Sequence, residues 1–122
     1  MANARNTLEN LTLGDIFHAS SPNGASLTCV VTDIRGDTIY ARVIMSQICI
    51  IFDKQTGSAR RGERQVICTI DSIAPLPTDI RNVMLGIDLK FRSNRDREHL
   101  QLTKSEAAAV LFLKSHYAAS PL

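Results

Sequence analysis

The sequence predicts an α+β protein that is mainly β, with antiparallel strands first and two helices at its C-terminal end. Two patterns predict this order. Apolar and β-branched residues alternate with a period of two up to Ile70, whereas beyond Pro77 apolar residues recur at every third or fourth position. The 122 residues, 44% of them hydrophobic, suit one core, so we expect a single domain over 1–122.

Five strands are predicted, separated by glycine, proline and short polar clusters. The tightest turn is Gly36 with Asp37, because only these two residues separate two β-rich runs. The polar stretch from Ser58 to Arg64 is expected to be an exposed loop before the last strand. The predicted strands are Leu13–His18, Ser26–Arg35, Thr38–Met45, Ile48–Phe52 and Gln65–Ile70.

Five short antiparallel strands, with turns every ~8 to 12 residues, are most economically closed into a small barrel of the SH3 or Tudor kind. We expect this barrel to cover about 12–74 and a helical appendage, about 78–119, to seal one of its open sides. The strand count and spacing predict the fold class only, since a fold does not determine a function.

The first helix is predicted from an apolar stripe that begins after Thr78 or Asp79, either of which is placed to cap it. The second is predicted to run to about Ala118, and its start carries the spacing of a capping box, Thr103 with Glu106. Its middle, Ala107–Leu113, is apolar at every position. We therefore expect this helix to be buried along most of its circumference.

A helix that is apolar on every side favours a protein interface, because a domain of this size has too little surface of its own to cover it completely. Leu111 and Leu113 point to different sides of the helix, since two residues turn it by about 200°. One leucine is expected to serve the core and the other a neighbouring surface, and we assign Leu111, Phe112 and Leu113 to the candidate interface. The sequence thus favours a non-enzymatic binding module whose partner is a second copy or another protein.

A second hypothesis is nucleic-acid binding by the same barrel. Arg60, Arg61 and Arg64, hereafter the basic segment, precede the last strand, and exposed guanidinium groups neutralise phosphates. Arg42 and Tyr40, on the outward face of their strand, are expected to assist. The net charge of +2 neither requires nor excludes such a partner.

Targeting signals are not recognisable in the sequence. No apolar run has the length of a signal peptide or of a membrane helix, so a cytoplasmic protein without a membrane partner is expected.

Signatures of an enzyme, a metal site or a cofactor site are also not recognisable. Cys29, Cys49 and Cys68 lie singly in apolar runs, so we expect all three to be reduced core residues and to bind no metal. The histidines are dispersed. A site around His18 or Cys29 is the least favoured hypothesis, because no nucleophile, base and orienting group can be assembled from the spacing.

Overall fold

The computed structural model describes residues 8–62, 64–94 and 100–122. Within them six antiparallel strands form one sheet in the order β4-β3-β2-β1-β6-β5, which curls into a nearly closed barrel. Two helices follow the sheet, α1 (Thr78–Ser93) and α2 (Lys104–Ala118). The strands are β1 (Ile16–Ser20), β2 (Ser26–Arg35), β3 (Thr38–Val43), β4 (Cys49–Asp53), β5 (Ser58–Arg61) and β6 (Gln65–Ser72).

The predicted fold class, a small barrel followed by two helices, is confirmed, but the predicted count of five strands is wrong. The sixth strand is β5, which pairs with β6 and places Ala59 opposite Cys68. Arg60 and Arg61 therefore lie on a strand and not in a loop, although both are exposed. Ala59 is the one fully buried side chain of β5.

The interior of the barrel is filled by alternate side chains of the strands. Phe17 and Phe52 meet edge to face, with ring centroids 5.3 Å apart. Ile39, Ala41 and Val43 face inward as predicted and are buried. Alternation along each strand thus separates an inner core from an outer face.

The outer face of β1 and β2 forms a second apolar layer beneath the helices. Ile16 and Val30 pack there against Met84 and Ile87 of α1 and against residues of α2. Because β2 is apolar on both sides, Val30 belongs to this layer while Cys29 and Val31 belong to the interior. The helices cover one side of the barrel wall.

The start of α1 differs from the prediction. Pro77 occupies the N-cap position and makes no side-chain capping bond, whereas Thr78 and Asp79 lie inside the first turn. Proline fixes the φ angle at the helix entry, and Asp79 in the first turn complements the helix dipole. The predicted capping box of α2 is confirmed: the Glu106 amide donates to Thr103 Oγ1 at 3.2 Å, and the Thr103 amide donates to Glu106 Oε1 at 2.8 Å.

Candidate functional site

Helix α2 is held against the barrel and α1 along one stripe only. Ala109, Leu113 and Tyr117, spaced four residues apart, are its buried side chains. Lys90 of α1 donates to Glu106 Oε1 at 2.9 Å and so ties the start of α2 to α1. Because only this stripe is buried, the prediction that the helix is buried along most of its circumference is wrong.

The opposite side of α2 carries four uncharged residues, which we call the α2 stripe: Ala108, Leu111, Phe112 and Ser115. The exposed Lys104 lies one turn before Ala108 on the same face. All four side chains are exposed, and Leu111 is 68% and Phe112 37% accessible. Their spacing of three and four residues places them on one helix face. The Phe112 ring stacks on His116 with centroids 5.4 Å apart.

Leu113 does not belong to this surface. It is buried among the residues that join α2 to the barrel, so its assignment to the candidate interface is wrong. Leu111 lies on the other side of the helix, as the rotation of about 200° between the two positions requires. Of the three assigned residues, Leu111 and Phe112 remain candidates for contact with a partner.

Arg42 is engaged in a buried ion pair and is not an exposed phosphate ligand. Its Nε and Nη2 atoms donate to the two carboxylate oxygens of Asp88 at 3.0 and 2.7 Å. Gln47, whose φ of 62° is positive, donates from Nε2 to Asp88 Oδ1 at 2.9 Å and to the Ile44 carbonyl at 2.8 Å. This network joins β3 and the following turn to α1.

The Asp88 carboxyl is buried, which by itself disfavours its charged form. Hydrogen bonds from Arg42 and Gln47, with the positive charges of Arg42 and Arg92, outweigh that burial and lower the pKa of Asp88 below its ordinary value of 3.8. Asp88 is a residue that sequence reasoning missed. A signal was present, since an acidic residue stands directly after Ile87 within an apolar stripe.

The remaining residues of the nucleic-acid hypothesis are spread over β3, β5 and the turn before β6. Arg61 is exposed on β5, and Arg64 is exposed in the turn before β6. Tyr40 is half-buried on the outer face of β3, where the Arg35 guanidinium lies 5.7 Å from its ring centroid. That cation–π contact engages one face of the ring.

A further polar cluster joins β1 to β6 beneath the end of α2. His18 Nδ1 lies 2.5 Å from Asp71 Oδ1, and the Ser20 hydroxyl donates to the second oxygen of the same carboxylate. The Tyr117 ring packs on His18 at a centroid distance of 5.3 Å. A cavity of about 310 Å³ is lined in part by His18, Asp71 and Lys114.

This cluster resembles a base held by a carboxylate, but a nucleophile is not hydrogen-bonded to the imidazole within the described residues. Ser20 donates to Asp71 instead. Two hydrogen bonds lie beside the cluster: the Leu122 amide donates to the Asp71 carbonyl at 2.8 Å, and the Ser72 hydroxyl donates to the Ser120 carbonyl at 2.6 Å. The cluster thus joins β1 to β6, and the hydrogen bonds beside it hold 120–122 against β6.

The cysteines are free thiols, and they differ in exposure. Cys29 and Cys68 are buried in the barrel interior, as predicted, but Cys49 is exposed on β4, so its predicted burial is wrong. Burial, with a smaller contribution from Cys68, raises the pKa of Cys29 to about 12. Burial also raises the pKa of Cys68.

In the part of the chain that the structure describes, no group of three His, Cys, Asp or Glu side chains is placed to hold a metal ion. None of the helices in that same part is both long and apolar enough to cross a membrane.

Comparisons of the chain with family models, with curated proteins and with solved structures found no match.

Proposed function

We propose that this protein is a non-enzymatic binding module of the cytoplasm, a small barrel of the SH3 or Tudor kind that associates with a second copy of itself through the α2 stripe. The observation that carries the proposal is the exposure of Leu111 and Phe112 side by side on one face of α2. An exposed apolar patch of this kind on a small domain is typical of a protein interface.

The shape of the stripe favours a second helix as the partner. Ala108 and Ser115 are small and stand one turn on either side of Leu111, so two helix backbones can approach closely across them. A two-fold axis through this region brings the same residues of both copies together, as an isologous interface requires. Burial of each large apolar side chain contributes about 2 kcal/mol before the losses of association are subtracted.

The nucleic-acid alternative now depends on the basic segment without Arg42. The observation that still supports this alternative is the exposure of Arg61 and Arg64. No contact or distance in the described residues favours it over self-association, and we keep it as the hypothesis that a salt-dependent binding assay tests.

The test of the proposal is the variant Leu111→Asp, with Leu13→Asp as its matched control. Leu13, in the loop before β1, is 63% exposed and so resembles Leu111 in accessibility. We expect Leu111→Asp to remain folded and to shift the protein to the monomer, because each copy would place a carboxylate in the helix contact. Leu13→Asp should associate as the wild type does; equal association of both variants would contradict the proposal.

A further inference from the structure

The cavity of about 310 Å³ beneath the end of α2 has walls from two parts of the fold. The barrel wall carries His18 on β1 and Asp71 on β6. The helix wall carries Lys114, Tyr117 and Ala118, whose spacing of three and four residues places them on one face of α2. An acidic group of the barrel and a basic group of the helix therefore line the same space.

These two charges are not paired with each other. Among the described residues, the Asp71 carboxylate is bound by His18 and Ser20, whereas the Lys114 ammonium makes no ion pair or hydrogen bond. A cation and an anion that share a cavity without contact are complementary to a ligand that carries both charges. An anion alone would face the Asp71 charge, and a cation alone would face the Lys114 charge.

The barrel wall offers hydrogen-bond acceptors. The Asp71 side chain keeps 41% of its accessibility, and within the described residues each of its oxygens has one partner, His18 for one and Ser20 for the other. A carboxylate oxygen has two lone pairs, so each can accept a second hydrogen bond. In the tautomer that donates from Nδ1 to Asp71, the His18 ring also offers Nε2 as an acceptor. This wall suits an ammonium group.

The helix wall offers hydrogen-bond donors and a small apolar surface. Lys114 is exposed, and its ammonium carries three N–H donors, so it suits a carboxylate. The ring of Tyr117 is buried, but the exposed Ala118 and Pro121 line the cavity beside it. These two residues are the apolar contacts that a short hydrocarbon side chain would find.

We propose that this cavity binds a small zwitterion, a free α-amino acid with an apolar side chain. The ammonium group of the ligand donates to Asp71 and His18, and its carboxylate accepts from Lys114. Its side chain lies against Ala118 and Pro121. At the volume of water in the liquid, about 30 Å³ per molecule, the cavity has room for a ligand of about ten non-hydrogen atoms.

Titration of the labelled wild-type chain with free leucine, followed by NMR, tests the proposal. Leucine has about nine non-hydrogen atoms and therefore fits the volume. It should shift the signals of His18, Asp71 and Ala118 saturably, with a Kd of about 1 mM or lower. The absence of a saturable shift up to about 10 mM, or a response confined to Leu111 and Phe112, would overturn the proposal.

Two analogues of leucine separate the contributions of its two charges. Isocaproate has the same hydrocarbon skeleton without the amino group, and isoamylamine has it without the carboxylate. Each should bind at least about tenfold more weakly than leucine, because each leaves one charge of the cavity without a partner. An analogue that binds as tightly as leucine would show that the missing charge is not recognised, and the ligand would then not be a zwitterion.

Variants of the chain assign each charge to its residue. Lys114→Gln, at an exposed position, should remain folded; it should weaken the binding of leucine and isocaproate by at least about tenfold without weakening that of isoamylamine. Asp71→Asn should have the opposite selectivity, with isocaproate spared. The matched control is Lys104→Gln, since Lys104 is exposed on the same helix and does not line the cavity.

The control should bind all three compounds as the wild type does. If Asp71→Asn does not fold, Lys114→Gln and the two analogues decide the question. Wild-type affinity for leucine in Lys114→Gln, or an equal loss in Lys114→Gln and Lys104→Gln, would contradict the site, since the charge at Lys114 would then have no specific role.

Discussion

Removal of the Asp88 carboxylate should destabilise the protein by about 3 kcal/mol. In Asp88→Ala two charge-assisted hydrogen bonds from Arg42 and one from Gln47 are lost together. Breaking one side of a buried ion pair costs about 3 to 5 kcal/mol, since the remaining charge is left without its partner. The Arg42 side chain keeps 19% of its accessibility, so we expect the lower end of that range.

Urea unfolding at neutral pH measures the loss, which corresponds to a Tm lower by about 10 °C for a domain of this size. The double variant Arg42→Met with Asp88→Leu is the control, and it should recover to within about 1 kcal/mol of the wild type because no unpaired charge remains. A loss below about 1 kcal/mol in Asp88→Ala would refute the reasoning, since the pair would then contribute no more than a surface ion pair.

The same carboxylate makes the stability depend on pH. The folded state lowers the pKa of Asp88 below 3.8, so its contribution is fully present above the ordinary value and is lost as the pH falls through the lowered one. The difference in unfolding free energy between the wild type and Asp88→Asn should therefore shrink on acidification below pH 3.8. A difference that stays constant over that range would contradict the assignment.

Three further outcomes are expected. Under native conditions Cys49 should react with a thiol reagent quickly and Cys29 and Cys68 slowly; equal rates for all three would contradict their placement. Thr103→Ala should lose about 1 kcal/mol in urea unfolding, because the capping box of α2 is removed, and no change would show that the cap is not needed. Alanine at all three positions of the basic segment should change stability by less than about 1 kcal/mol; steep loss of nucleic-acid retention with salt in the wild type alone would favour the alternative function.

The strands with a long β-branched run or a clear alternation were predictable from the sequence. β2 has the predicted bounds of Ser26–Arg35, and the inward residues of β3 are those that alternation selected. β5 was missed because three of its four residues are polar or charged and only Ala59 enters the core. One small buried residue carries no periodicity, so β5 is specified by its pairing with β6 and not by its own pattern.

The positions that sequence reasoning misassigned share one cause. Cys49 and Leu113 each lie in an apolar run, and such a run does not show which of its faces another element covers. The helices pack over β1 and β2, which leaves the outer face of β4 with Cys49 exposed. The burial of α2 was overestimated because alanine was counted as apolar. Ala107 and Ala108 are exposed, and their side chains are so small that contact with water costs little free energy.

Sedimentation of the wild-type chain from micromolar to millimolar concentration tests the central claim most directly. Self-association through the α2 stripe predicts a mass that rises from 13.4 kDa towards twice that value and then stops, as a closed two-fold pair requires. A protein that remains at 13.4 kDa up to about 1 mM would contradict the claim.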